Sequence, residues 1–150
     1  MISKKNAVKH LIREGYQLAT LEAVLQDKTN GKDKIFAFDP DLADVLVFPI
    51  GTTLHHHPLV NKGSLILQDK ASCLPPYALA PHKHEIVIDA CAAPGNKTTQ
   101  LSALMNGTGR VIAFDRDPKR FAVLQKTIRK AHATSTYLHR RSFVIMMYRY

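Results

Sequence analysis

The chain has 150 residues, 45% of them hydrophobic and 22% charged, with 21 Lys+Arg against 12 Asp+Glu and a net charge of +9. This is the composition of a globular protein of one ordinary domain or pieces of two small ones, which excludes wholesale disorder. No apolar run approaches the ~18 residues of a membrane span, and residues 1–10 are basic without the apolar stretch of a secretory signal.

Cys73 and Cys91 form no C-x-x-C pair, too little for a disulfide scaffold or a thiolate zinc site, and they fit a reducing compartment. The charge is unevenly placed. Residues 1–57 hold seven basic and seven acidic side chains, whereas residues 58–150 hold fourteen basic and five acidic. Within the latter, residues 116–149 carry nine basic side chains against Asp117 alone. A stripe of that density suits a polyanion such as nucleic acid, and equally a solvated helix face.

Along the chain, Ser3 predicts the cap of a helix running to about residue 14, with Val8, Leu11 and Ile12 on one face and Gly15 as a stop. A second short helical stretch covers residues 21–25, and the polar run 27–33 reads as a loop. Strands are predicted over 35–38 and 45–48, separated by Asp39-Pro40-Asp41 and closed by Pro49 and Gly51. Phe36, Phe38 and Phe48 alternate with apolar neighbours and read as core. His55-His56-His57-Pro58 reads as a linker, because Pro58 biases His57 towards extended backbone and adjacent histidines do not converge easily on one metal ion.

From there strands and helices alternate. Residues 64–67 predict a strand, Asp69 a helix cap, and Pro75-Pro76 with Pro81 a break. The apolar run Ile86-Val87-Ile88 reads as a buried parallel strand. A loop, a helix over 97–105 and a strand over 110–114 complete a βαβ unit. Asp117-Pro118 opens a further helix to about residue 131, with Phe121, Leu124, Ile128 and Ala131 at helical spacing. Residues 134–138 and 143–148 complete the expected strands, and Tyr148 and Tyr150 read as a frayed terminus.

The chemistry concentrates in residues 89–98, D-A-C-A-A-P-G-N-K-T, between a strand and a helix. Small residues at Ala90, Ala92, Ala93 and Gly95 would let a ligand approach the backbone, and Pro94 stiffens the turn. The amides opening the helix, with Lys97, form an anion site at the carboxyl end of a parallel strand. Asp89 reads as a brace for the loop and Cys91 as a small loop residue. Asp115, 26 residues after Asp89, ends the next strand, where an acid can accept both hydroxyls of a ribose, and Arg120 can brace it. A dinucleotide fingerprint needs G-x-G-x-x-G and a P-loop needs G-x-x-x-x-G-K-[ST], whereas this loop holds Gly95 alone. One glycine followed by a ribose acid fits S-adenosyl-L-methionine, which offers a carboxylate and no phosphate.

Residues 89–98, together with F-D-R-D-P-K-R at 114–120 and L-I-L-Q-D-K-A-S-C-L at 65–74, resemble the Sun-domain (RsmB/Sun, Nop-type) RNA cytosine-5 methyltransferases. The likeness is most of all to the eukaryotic subfamily called Sun-domain family member five, which is associated with large-subunit ribosomal RNA. It is strong over about 63–131 and fainter over about 34–62, where F-A-F-D-P and V-L-V-F-P also fit. The resemblance implies an α/β fold, the first half of a doubly wound Rossmann-like methyltransferase sheet over residues 58–150. Before it, residues 1–57 would be a remnant of an RNA-binding-type α+β subdomain and linker. It places the cofactor loop on Cys91, Ala92, Ala93, Pro94, Gly95, Asn96 and Lys97, the ribose acid on Asp115 and a further cofactor-contacting arginine on Arg120. Gln68, Asp69 and Ser72 would take a supporting role.

In that family one cysteine adds to carbon 6 of the cytosine and a second assists release, in Pro-Ser-Cys or Pro-Cys and Thr-Cys segments downstream of the ribose acid. The chain ends before either, so it reads as the front of a longer enzyme, without methyl transfer of its own, and residues 131–150 read as an atypical tail. The implied partners are ribosomal RNA and S-adenosyl-L-methionine, with no membrane and no metal, and the implied location is the nucleolus. The alternative is a non-catalytic RNA-binding fragment that uses residues 116–149.

Overall fold

The structure is a computed structural model that describes residues 3–143. It divides between Leu65 and Ile66 into two compact units, each with its own sheet.

In the first unit the Ser3 side chain accepts the Asn6 N–H and opens α1 (Lys4–Arg13), whose Ala7 and Leu11 are buried. Thr20 caps α2 (Leu21–Leu25) in the same way. β1 (Gln17–Leu18) runs parallel to β2 (Ile35–Phe38), and β2 pairs antiparallel with β3 (Leu46–Val47). The two-residue β1 has both side chains exposed, so no apolar pattern announced it. Ala7, Leu11, Phe36 and Leu59 form the core, with Tyr16, Leu46, Phe48 and Leu65 packed on it. Phe36 and Phe48 are core rings as expected; Phe38, at the strand's end, is half-exposed and carries the Lys4 ammonium 4.5 Å above its ring.

The 55–57 segment is not a linker. His57 caps α3 (Pro58–Asn61), its Nδ1 accepting the Leu59 N–H at 3.1 Å. That bond leaves the proton on Nε2, which donates to Glu14 Oε2 at 2.5 Å. With Leu59 in the core, the first unit runs eight residues past the expected boundary at 57. Residues 64–67 form no strand either, because the Ser64 and Leu65 amides both donate to the Leu59 carbonyl and fold the chain back on α3.

The second unit opens with α4 (Lys70–Leu79), for which Asp69 is the cap residue without a side-chain bond. Pro75 and Pro76 lie inside this helix rather than ending it, and it stops at Ala80, which is left-handed. β4 (Ile86–Asp89), β5 (Arg110–Phe114) and β6 (Thr136–His139) form a parallel sheet in that order. α5 (Asn96–Leu104) and α6 (Pro118–Lys130) are the crossovers. Both steps run the same way across the sheet, so right-handed crossovers put both helices on one face. That face holds Val87, Val111, Leu101 and Met105 in one cluster, and Ala113, Leu124 and Ile128 in another.

The alternate face explains a second departure. Ile86 and Ile88 are 63% and 48% exposed, so β4 is buried on one side only. β6 belongs to the sheet, so the segment beyond residue 131 begins as regular structure rather than as a tail. The strand expected over 143–148 lies, apart from Phe143, outside the described residues.

Candidate functional site

The site forms where β4 and β5 end side by side. Asp89 closes β4, and its Oδ1 accepts the Cys91 N–H at 3.3 Å while Oδ2 accepts the Thr98 hydroxyl at 2.7 Å. Thr98 is fully buried in the first turn of α5. One carboxylate therefore ties the start of the loop to its end, which is the bracing role.

Between those ties, the small residues serve packing. Ala92 and Ala93 are buried against Ala113, Leu124 and Ile128, and the Ala92 N–H donates to the Phe114 carbonyl at 2.9 Å. Gly95 has φ +111°, which favours glycine. A side-chain carbon there would lie 3.0 Å from Leu124 Cδ1 and 3.1 Å from Thr127 Cβ. The close approach that Gly95 permits is thus that of α6, not the approach of a ligand expected from the sequence. Only Cys91, Pro94 and Lys97 of residues 91–97 are exposed.

Gly95 is also the cap residue of α5 and brings no side chain to its amides, so the first-turn N–H groups point out of the helix without a cap acceptor. The neighbouring side chains are engaged from α4 and the segment before it. Asn96 Nδ2 donates to the Leu67 carbonyl at 3.1 Å, and Lys97 Nζ donates to Ser72 Oγ at 3.2 Å. Gln100 accepts from Gln68 at 2.9 Å and donates to the Cys73 carbonyl at 3.0 Å. Gln68 and Ser72 thus hold the helix that carries the loop, a supporting role.

At the end of β5, Asp115 is 5% exposed. Its Oδ2 accepts the Ala93 N–H at 3.2 Å and its Oδ1 accepts the Asp117 N–H at 3.1 Å. Arg120 Nη2 lies 3.5 Å from Oδ2 and donates to the Ala93 carbonyl at 2.9 Å. The same nitrogen stands 3.9 Å from Cys91 Sγ. Ala93, Pro94, Arg120 and Val123 line a cavity of about 300 Å³ beside this pair. Sequence reading missed Val123; its spacing of three from Arg120 on α6 is the signal that puts both on one helix face. Cys73 is buried and contributes its carbonyl to Gln100.

Residues 2–68 match the family model described as NOL1/NOP2/Sun domain family member 5, ferredoxin-like domain. Residues 76–143 match that of the 16S rRNA methyltransferase RsmB/F, which carries the likeness past residue 131. The chain is 42% identical over 140 residues to a 28S rRNA (cytosine-C(5))-methyltransferase of Mus musculus, covering 93% of this chain and 30% of that protein. It is 44% identical over 97 residues to the 25S rRNA (cytosine-C(5))-methyltransferase NSUN5 of Arabidopsis thaliana, covering 65% of this chain and 17% of that one. A solved methyltransferase homologue from Pyrococcus horikoshii superposes with a TM-score of 0.75 at 27% identity, over 94% of this chain and 41% of that one. The chain thus spans less than a third of the length of these two curated relatives.

Parallel sheet, strand-end loop and these likenesses define part of a Rossmann-like methyltransferase. By sequence, the chain belongs to the Sun-domain family of RNA cytosine-5 methyltransferases, with a ferredoxin-like match over residues 2–68 and an RsmB/F methyltransferase match over residues 76–143.

Proposed function

We propose that this chain supplies the S-adenosyl-L-methionine-binding half of an RNA cytosine-5 methyltransferase that acts on ribosomal RNA. The observation that carries the reading is the pairing of two groups at adjacent strand ends, the uncapped amides of α5 and the Asp115 carboxylate. The residues fit this ligand. Amides at a helix N-terminus bind a carboxylate, and an acid ending the next parallel strand accepts ribose hydroxyls. In this reading residues 91–97, Asp115 and Arg120 make the pocket, with Ala93, Pro94 and Val123 as its apolar wall.

When bound, S-adenosyl-L-methionine supplies a methyl group activated on a sulfonium. The chain's own part is to bind and orient. Asp89 and Thr98 hold the loop's ends, Asp115 and Arg120 grip Ala93, and Gln68 and Ser72 hold α5 from behind. Attack on cytosine carbon 6 needs an exposed thiolate facing the base. Cys73 is buried, and Cys91, though exposed, lies beside Arg120 in the loop this reading assigns to the cofactor, so in this reading neither takes that role and the chain alone transfers no methyl group. Action on ribosomal RNA, as named for the relatives, implies a nucleolar location.

Calorimetric titration of S-adenosylhomocysteine into purified chain, wild type and Asp115→Ala, tests the reading. Hydrogen bonds to a charged group contribute about 1.5–3 kcal/mol, so the variant should bind about ten- to a hundredfold more weakly. A folded wild type that takes up no ligand, or equal binding by both, overturns it. The second reading, a non-catalytic RNA-binding fragment, rests on the charge, since the basic excess falls wholly on residues 58–150. It predicts RNA binding that S-adenosylhomocysteine leaves unchanged.

A further inference from the structure

We infer that the outward face of α6 is a docking surface for the phosphate backbone of RNA. The inference rests on the proposed function for its choice of polyanion; the surface itself is argued from α6. Leu124 and Ile128 are the buried side of this helix. On the opposite side Lys119, Val123, Lys126 and Lys130 follow one another at steps of four, three and four residues, and all are exposed. That spacing makes one row along the helix, about 16 Å long at 1.5 Å per residue.

Three features separate this row from an ordinary solvated face. First, α6 contains no acidic side chain that could form the usual pairs three or four residues away. Asp117, just before it, is committed to the cap and accepts the Arg120 N–H at 2.8 Å. Second, one of the row's lysines stands where the helix dipole disfavours it. Arg129 and Lys130 in the last turn suit the dipole, but Lys119 in the first turn opposes it. Arg120, beside it, has Asp115 as a reason to be there; Lys119 has no carboxylate partner among the described residues. Third, Val123 sits in the row and also lines the cavity with Ala93, Pro94 and Arg120, so the row passes the cavity's rim. A polyanion lying along α6 would cross the mouth of the proposed cofactor site.

The row fits RNA rather than an anionic membrane. A membrane-surface helix needs an apolar stripe beside its basic one, and the apolar side of α6 is spent on the sheet. Val123 alone does not make such a stripe.

The test is fluorescence anisotropy of a labelled single-stranded RNA of about twenty nucleotides with the full chain, at salt between about 50 and 200 mM. The proteins compared are wild type, the triple variant K119A/K126A/K130A, the charge-keeping K119R/K126R/K130R, and K83A, at an exposed lysine before β4, as a control. Each neutralised phosphate contributes about 0.7 to the slope of log affinity against log salt for single strands. The alanine triple should therefore lower the slope by about 2 and weaken binding at least tenfold, while the arginine triple and the control keep both. Unchanged slope and affinity in the alanine triple overturn the surface. Equal, lysine-dependent binding to phosphatidylserine vesicles or polyglutamate overturns its assignment to RNA. Titrating S-adenosylhomocysteine into the same proteins reports on the cofactor reading separately, because none of the three lysines is placed in that pocket.

Discussion

Arg120 and Asp115 hold the peptide of Ala93 from both sides: Asp115 Oδ2 accepts its N–H at 3.2 Å, and Arg120 Nη2 donates to its carbonyl at 2.9 Å. The two charges are themselves 3.5 Å apart, with the arginine side chain 55% exposed and the carboxylate 4%. The burden is therefore unequal. Removing the buried carboxylate leaves the Ala93 and Asp117 amides without an acceptor, whereas removing the arginine gives up an exposed pairing that solvent replaces. Asp115→Ala is expected to lower stability in urea by about 1.5–3 kcal/mol and Arg120→Ala by under ~1 kcal/mol. Equal losses would mean that the ion pair, not the amide bonds, holds the loop.

Gly95 makes a sharper case, because two independent reasons require it. At φ +111° an L side chain is strained, and its Cβ would press on Leu124 and Thr127. Gly95→Ala should cost about 1–3 kcal/mol by denaturant titration. Thr127→Ser removes only the Cγ2 contact and would recover a fraction of the loss, since the Leu124 Cδ1 and Thr127 Cβ contacts and the backbone strain stay. Full recovery by that second change would show that φ costs nothing here.

His57 tests whether residues 55–57 belong to the first unit's core. Its ring is 8% exposed on the side-chain scale, accepts the Leu59 amide through Nδ1 and reaches Glu14 through Nε2, while His55 and His56 are exposed. Loss of a helix cap costs about 0.5–2 kcal/mol, so His57→Ala should be destabilising by at least that much in the first unit. His55→Ala and His56→Ala should stay within about 0.5 kcal/mol of wild type. Three equal, near-zero effects would restore the linker reading.

These contrasts mark what the sequence could tell. Signals complete within a few residues were legible: Ser3 and Asp117-Pro118 announce their helices, and residues 110–114 match β5 end for end. The candidate loop was legible as a place, between a parallel strand and a helix. What it does locally was not. Gly95 is explained by Thr127, and His57 by Glu14, partners 32 and 43 residues away. Pro75 and Pro76 were read by propensity alone, yet α4 runs through them. An all-apolar Ile86-Val87-Ile88 announces a strand without saying which of its faces is covered. Val123 was within reach of the sequence, because the helix opened by Asp117-Pro118 carries Arg120 and puts Val123 one turn on, on the same face.

The loop over residues 27–33 offers a test by pH. Asp27 Oδ1 accepts the Thr29 hydroxyl at 2.8 Å and Oδ2 accepts the Gly31 N–H at 3.1 Å. The Thr29 hydroxyl first, with the Gly31 and Thr29 amides adding less, holds the Asp27 carboxyl below the usual carboxylate range against the opposing effect of desolvation. A carboxyl depressed on folding binds its proton more weakly in the folded chain than in the unfolded one. Its contribution is therefore complete above the unfolded pKa and is lost as pH falls through the folded one. Following the Asp27 carboxyl carbon by NMR through an acid titration should place its midpoint below that of an ordinary aspartate. Thr29→Val removes the hydroxyl's hydrogen bond and should move the midpoint upward, with the Gly31 amide exchanging faster at the same acid pH. A midpoint that stays put in Thr29→Val would assign the depression to the backbone amides, and one at the ordinary aspartate value in the wild type would remove the turn's dependence on charge.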